Sequence, residues 1–177
     1  MRKSCIPNVF TFINLSCGII SILSVMDEKY AMAGVFILLA GLVDRYDGRI
    51  ARFLNVSSDL GKELDSLADL VSFGVAPSIL VYILFNLESF GPNGLLGFVV
   101  LLLFPICGAY RLARFNTAEF DGSFTGVPIT IVGCFMAFFS LIIIELNLQV
   151  ITSLYLAVFL MIIGSYLMVS KIKLRKV

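Results

Sequence analysis

The sequence predicts an all-α integral membrane protein in which residues 1–177 form a single domain of six transmembrane helices. Hydrophobic residues make up 59% of the chain and charged residues only 14%, a composition typical of a polypeptide surrounded by lipid. Six long apolar stretches follow one another, and the polar connections between them are too short to form a soluble domain. Each stretch is near the twenty or so residues that a helix needs to cross about 30 Å of hydrocarbon.

Each of the six apolar stretches predicts one transmembrane helix. The first contains Asn14 and leads into further apolar segments, which favours a retained span over a cleaved signal peptide. The second and third are joined by a short polar connection, so we expect an antiparallel hairpin. The fourth ends in a basic segment, and the last two complete the bundle. The predicted spans are 9–26, 30–54, 60–85, 95–115, 127–144 and 150–169.

The distribution of basic residues predicts the orientation. With six spans, both termini lie on the same side as the second and fourth connections. Twelve of the thirteen Lys and Arg residues fall on that side, and only Lys29 falls opposite. Short cytoplasmic loops are enriched in Lys and Arg. We therefore expect a multi-pass protein of the cell membrane with both termini in the cytoplasm.

Four aspartates lie in or beside the second and third predicted spans: Asp44, Asp47, Asp65 and Asp69. Asp44 follows about 21 Å of helix from Tyr30, so it should lie within the cytoplasmic leaflet. Members of each pair are three or four residues apart and share one helix face. The two pairs are also symmetric about a midpoint near residue 56, which matches their depths in the hairpin. The spacing therefore predicts that all four carboxylates converge and face the cytoplasmic side.

Converging carboxylates repel one another unless a cation lies among them. The chain has no histidine and its four cysteines have no CxxC spacing, so the ligands are hard oxygens that suit Mg²⁺, Mn²⁺ or Ca²⁺. We expect two divalent ions, Mg²⁺ or Mn²⁺, which together can clamp a diphosphate. The alternative is that the acids only pair with neighbouring arginines at the membrane interface.

Small and basic residues accompany the acids. Gly48 and Gly61 leave room for a nucleotide or a neighbouring helix, and Ala51 adds only a small side chain to the same face. Arg52 continues the row of Asp44 and Gly48 at four-residue steps, where its guanidinium could bind a phosphate.

This pattern resembles the signature of the CDP-alcohol phosphatidyltransferases. The resemblance implies that an acceptor hydroxyl attacks the lipid-linked phosphorus of CDP-diacylglycerol or CDP-archaeol and that CMP leaves. It also implies that Asp44, Asp47 and Asp65 bind metal, whereas Asp69 both binds metal and acts as the general base. Gly48, Arg52 and Ser58 would hold the nucleotide. The matching residues are Asp44, Asp47, Gly48, Ala51, Arg52, Gly61, Asp65 and Asp69.

The first span opens with polar residues three apart that resemble the nucleotide-contacting entrance of the family. Asn8 and Thr11 would contact the CDP-lipid there. The alternative is that Pro7 and Asn8 only start the helix.

Two further stretches, 69–77 and 107–128, resemble the serine-using branch of the family. Serine is a zwitterion, so its carboxylate needs a donor, which Arg111 or Arg114 could supply. Ser72 follows Asp69 on the same side of the helix. The resemblance therefore implies L-serine as the acceptor and phosphatidylserine as the product. The alternative for both arginines is an anchoring role at the cytoplasmic interface.

Other functions remain open at this point. Glycerol phosphate or inositol phosphate could replace serine, although a dianionic acceptor would need several cationic groups. A cation transporter or channel is the rival from another class, since intramembrane acids also mark ion pathways. The family resemblance further implies a homodimer in the bilayer, and we expect no nucleic-acid partner.

Overall fold

The computed structural model describes residues 5–54, 59–117, 124–147, 150–171 and 173–174. Within these ranges the side chains of residues 5–7, 47–48, 50–54, 59, 124–125, 150–152 and 173–174 are not described. The described chain is almost entirely helical. Its elements are α1 (Cys5–Met26), α2 (Tyr30–Leu54), α3 (Asp59–Asp69), a π-helical segment (Leu70–Val75), α4 (Ala76–Leu84), 3₁₀ turns (Leu87–Ser89 and Pro92–Gly94), α5 (Leu95–Thr117), β1 (Phe124–Thr125), α6 (Ile129–Glu145), α7 (Val150–Val169) and β2 (Lys173–Leu174).

Several of these helices have the length and apolarity of membrane spans. Among the described residues, three helical stretches qualify with mean hydropathy values of 2.1, 1.9 and 2.1: Asn8–Met26, Leu60–Leu84 and Pro92–Thr117. Ile129–Glu145 and Ser153–Val169 are apolar but shorter. The predicted class, a helical membrane protein, is therefore confirmed.

The third predicted span is not a uniform α-helix. It runs from α3 through the π-helical segment Leu70–Val75 into α4, and the Ala76 N–H bonds the carbonyl of Val71, five residues back. Pro77 lies at the start of α4. A proline has no N–H to donate, and in a regular α-helix its ring clashes with the carbonyl four residues earlier. The wider π turn removes this conflict, and such turns are frequent at functional sites.

Helices α1 and α6 both lie against the π-helical segment. A Cβ on Gly18 of α1 would lie 2.5 Å from the Ser72 hydroxyl oxygen, and one on Gly133 of α6 would lie 2.5 Å from the Phe73 carbonyl oxygen. Only glycine permits backbones to approach this closely. Phe73 is fully buried in the core between these helices. The segment after Asp69 is thus held from two sides.

The short sheet lies where the chain connects α5 to α6 and where it continues beyond α7. β1 pairs with β2 in antiparallel register, Phe124 opposite Leu174. The Val127 N–H donates to the Leu167 carbonyl at 3.1 Å. The backbone between the strand and α6 turns at Gly126, where φ is +79°. These contacts place the connection between α5 and α6 beside the end of α7.

Candidate metal and acceptor site

Three carboxylates from two helices meet at the centre of the site. One oxygen from each of Asp44, Asp65 and Asp69 lies within 4.8 Å of the other two. Asp44 comes from α2, whereas Asp65 and Asp69 lie one turn apart on α3. Asp44 and Asp65 are partly exposed, and Asp69 is only 8% exposed. The hairpin spacing thus brings together three of the four predicted aspartates.

The other predicted residues of this site divide into two groups. Gly61 is partly buried on α3, and Asn8 and Thr11 lie on α1, where Thr11 is buried. The side chains of the second group lie outside the described part of the chain, so their predicted roles stay predictions: Asp47, Gly48, Ala51, Arg52 and Ser58.

Asn14 holds Asp69 from α1, 55 residues away in sequence. Its Nδ2 donates a hydrogen bond of 3.0 Å to Asp69 Oδ1. The Asn14 side chain is 1% exposed. The sequence places Asn14 on the polar face of the first predicted span with Asn8 and Thr11, the face that resembles the nucleotide-contacting entrance, but predicts no contact with Asp69. The cost of burying a carboxamide in an apolar span was the available signal for a specific partner.

The backbone of α1 is fixed at the same place. Ser72, in the π-helical segment, donates its hydroxyl to the Asn14 carbonyl oxygen at 2.9 Å. Ser72 is fully buried. Together with the close approach at Gly18, this bond fixes the position of Asn14 relative to Asp69. The predicted contact of Ser72 with serine stays a prediction.

Arg111 and Arg114 have different surroundings, although both lie near the end of α5. Arg114 donates from Nη1 to the Val169 carbonyl at 3.0 Å and from Nη2 to the Ser170 carbonyl at 3.4 Å. Arg111 is 9% exposed and interacts electrostatically with Asp69. Among the described residues, its Nε has no hydrogen-bond partner. Arg114 is therefore engaged with the end of α7, whereas Arg111 is buried near enough to Asp69 for their charges to interact.

An apolar groove between α2 and α6 ends at the acid cluster. Its volume is about 470 Å³. At the polar end, Thr130 Oγ1 contacts Asp44 Oδ2 at 3.5 Å, a weak interaction at most. The lining residues of the groove are Leu38, Gly41, Asp44, Arg45, Thr130, Ile131, Cys134, Phe135 and Phe138.

The carboxylates fit a divalent cation. Three acidic side chains this close, one of them buried among apolar helices, repel one another unless positive charge compensates them. Their ligand atoms are all carboxylate oxygens, the donors that Mg²⁺ and Mn²⁺ prefer. Fold and site together define a helical membrane protein with an acidic cluster that could hold a divalent cation, beside an apolar groove.

The comparison with known protein families agrees with this class. Residues 4–169 match the family model described as CDP-alcohol phosphatidyltransferase. Since the match covers most of the chain, the protein belongs to the CDP-alcohol phosphatidyltransferase family. The family resemblance drawn from the aspartate motif is therefore confirmed.

Three similar proteins illustrate the relationship. The CDP-diacylglycerol–serine O-phosphatidyltransferase of Bacillus subtilis is 39% identical over 175 residues, 95% of this chain and 88% of that protein. The Helicobacter pylori (strain J99) protein of the same name is 40% identical over 70% of this chain, and the match spans about half, 52%, of its length. The archaetidylserine synthase of Methanothermobacter thermautotrophicus is 36% identical over 97% of this chain and 70% of that protein.

Proposed function

We propose that this protein transfers a phosphatidyl or archaetidyl group from a CDP-linked lipid to the hydroxyl of L-serine and releases CMP. The observation that carries the proposal is the meeting of Asp44, Asp65 and Asp69 within 4.8 Å at the end of an apolar groove. Relatives whose names specify serine transfer with both lipid types support it. The match to the family model supports the reaction class.

The cation-binding residues in this proposal are Asp44, Asp65 and Asp69, together with the predicted ligand Asp47. When bound there, two Mg²⁺ or Mn²⁺ ions would neutralise charge on the diphosphate of the CDP-lipid. The carboxylates are arranged on two helices of a hairpin, so the chain itself presets their spacing. That presetting reduces the cost of reorganisation during phosphoryl transfer.

Residues of the chain have separate roles in the chemical step. Serine's hydroxyl oxygen forms a bond to the lipid-linked phosphorus, and the bond from that phosphorus to the bridging oxygen of CMP breaks. CMP leaves with the electron pair, and Asp69 accepts the hydroxyl proton. Asn14 holds the Asp69 carboxylate through Oδ1 and so fixes its orientation toward the acceptor. Burial of Asp69 limits competition from water.

Arg111 supplies the donor for the serine carboxylate. It is buried, it interacts electrostatically with Asp69, and its Nε has no partner within the described residues. Arg114 also belonged to the predicted acceptor site, but its bonds to the carbonyls of Val169 and Ser170 favour a role in joining α5 to α7. One buried cation suits a monoanionic carboxylate better than the dianionic phosphate of glycerol phosphate or inositol phosphate.

The groove and the nucleotide-binding residues complete the substrate site. A lipid chain would lie in the apolar groove between α2 and α6 with its diphosphate at Asp44. Asn8, Thr11 and Gly61 lie on α1 and α3 and would contact the CDP moiety. The predicted contacts of Gly48, Ala51, Arg52 and Ser58 belong to the same proposal.

The membrane arrangement in this proposal has six spans, both termini in the cytoplasm, an active site facing the cytoplasm, and a homodimer in the bilayer. The helices of the described residues support it, since they number six when α3, the π-helical segment and α4 are counted as one span. The concentration of basic residues on one side supports the orientation.

The test is an assay of CMP release by the purified protein in detergent with CDP-diacylglycerol and either Mg²⁺ or Mn²⁺. We expect release that requires both serine and a divalent cation. Glycerol phosphate and inositol phosphate, tested in parallel, should not replace serine. Release that is independent of serine would reject serine as the acceptor. Cation flux through vesicles containing the protein, without CMP release, would instead support the transporter alternative.

A further inference from the structure

Asn14 has one half of its carboxamide engaged and the other half without a partner. Its Nδ2 donates to Asp69, which requires that the amide present its nitrogen to the carboxylate, an acceptor. The oxygen of the same carboxamide, Oδ1, is buried and has no hydrogen-bond partner among the residues that the structure describes. Because Nδ2 and Oδ1 share one carbon, this acceptor lies beside the Asp69 contact.

Arg111 provides the complementary feature. Its Nε is a buried donor that likewise lacks a partner within the described part of the chain, and its charge acts on Asp69. Buried polar atoms without partners are costly and rare in folded proteins. These two, one acceptor and one donor, come from α1 and α5 and both flank the same carboxylate. A zwitterionic ligand, which carries both a donor and an anionic acceptor, would satisfy both atoms.

We propose that Asn14 Oδ1 binds the ammonium group of the acceptor amino acid, while Asn14 Nδ2 positions Asp69 for the acceptor hydroxyl. This inference rests on the proposed serine transfer and adds the group that recognises the amine. A serine molecule has three polar groups to satisfy, and the site then offers one residue for each. Arg111 takes the carboxylate, Asn14 the ammonium group and Asp69 the hydroxyl proton.

The neighbouring residues make Asn14 suitable for this role. Its backbone carbonyl accepts the Ser72 hydroxyl, and Gly18, one turn further along α1, lies directly against Ser72. The carboxamide is therefore held at a fixed distance from Asp69 without using its own oxygen. An apolar residue of similar size would fill the space but would leave both Asp69 and the ammonium group without this contact.

The first test compares Asn14→Ala with the wild type, using serine and 3-hydroxypropanoate, which is serine without its amino group. We measure kcat and KM for serine and the inhibition constant of 3-hydroxypropanoate in competition with serine. Loss of a hydrogen bond to a charged group predicts roughly a tenfold or greater rise in serine KM. The inhibition constant of 3-hydroxypropanoate should stay within about twofold, since it has no ammonium group to lose. Equal changes in both constants, or none in either, would overturn the proposal.

A second variant, Asn14→Asp, keeps an acceptor oxygen of nearly the same size, but its ionised carboxylate has no N–H to donate to Asp69. We expect a serine KM within about threefold of wild type and a kcat at least about tenfold lower. A serine KM raised roughly tenfold or more in Asn14→Asp would contradict ammonium binding, and this criterion does not depend on whether Asn14→Ala folds. Ser21→Ala is the matched control, because Ser21 is also buried on α1 but bonds the Ala33 carbonyl instead.

The assay distinguishes failure of serine transfer from failure of ammonium binding by Asn14. If the wild-type protein releases no CMP in response to serine, the proposed function fails. If the wild type does respond and the Asn14 variants lack the expected split between KM and kcat, only the inference about Asn14 fails.

Discussion

Gly18 and Ser72 bring α1 and the π-helical segment into direct contact. A Cβ on Gly18 would lie 2.5 Å from Ser72 Oγ and 2.9 Å from Ser72 Cα. The second distance involves backbone, so rotation of the Ser72 side chain cannot relieve the clash. The contact therefore sets the distance between the helix that carries Asn14 and the helix that carries Asp69.

Gly18→Val tests this contact. The added side chain should push α1 away from the π-helical segment and separate Asn14 from Asp69. We expect a lower melting temperature and at least a roughly tenfold loss of serine-dependent CMP release. Ile19→Val, an exposed position on the same helix, is the control and should behave like wild type. Wild-type activity in Gly18→Val would show that the close approach is not required.

Ser72→Ala separates a structural role from serine binding. It removes the hydroxyl that bonds the Asn14 carbonyl, and it should destabilise the protein by about 1 kcal/mol. We expect a modest fall in kcat with the serine KM unchanged. A large rise in serine KM at unchanged kcat would instead support direct contact between Ser72 and serine, as the sequence analysis predicted.

The two arginines of α5 should give different phenotypes. Arg111→Ala should raise the serine KM about tenfold or more, because a buried cation that pairs with the carboxylate is removed. Arg114→Ala should lower the melting temperature, since Arg114 bonds the carbonyls at the end of α7, and it should leave the serine KM near wild type. Steady-state kinetics and thermal unfolding of both variants check this. Identical effects on serine KM would contradict the assignment.

Asp65→Asn tests the cation site. Loss of one negative ligand from the cluster should raise the Mn²⁺ concentration needed for half-maximal activity by roughly tenfold or more. A titration with Mn²⁺ after removal of metal by EDTA measures this. Glu63→Gln is the matched control on the same helix, because Glu63 is exposed and its contact with Asn116 Nδ2 survives as an amide oxygen. Equal metal requirements in both variants would argue against Asp65 as a ligand.

The sequence predicted those features of the site that depend on helix periodicity. Because Asp65 and Asp69 are four residues apart and Asp44 lies at matched depth in the hairpin, their meeting follows from regular helix geometry. The π-helical segment after Asp69 could not be predicted in this way, since the period of 3.6 residues assumes a regular α-helix. Pro77 was the local signal for that departure.

Contacts between distant segments could not be predicted from the sequence. The bond from Asn14 to Asp69 spans 55 residues and depends on how α1 lies across the third span, which no local pattern specifies. Arg111 and Arg114 also looked equivalent, because both are basic residues at the same helix end. Residues three apart share a helix face, yet Arg111 interacts with Asp69 whereas Arg114, nearer the end of α5, bonds the carbonyls at the end of α7.

The most direct measurement of the central claim is CMP release by Asp69→Asn in the presence of CDP-diacylglycerol, serine and saturating Mn²⁺. Asparagine keeps the size of the side chain and an oxygen for the Asn14 amide, but it cannot accept the hydroxyl proton. We expect serine-dependent release to fall at least about a hundredfold, while Asp27→Asn, an exposed acid on the connection after α1, keeps wild-type activity. Wild-type activity in Asp69→Asn would contradict the account.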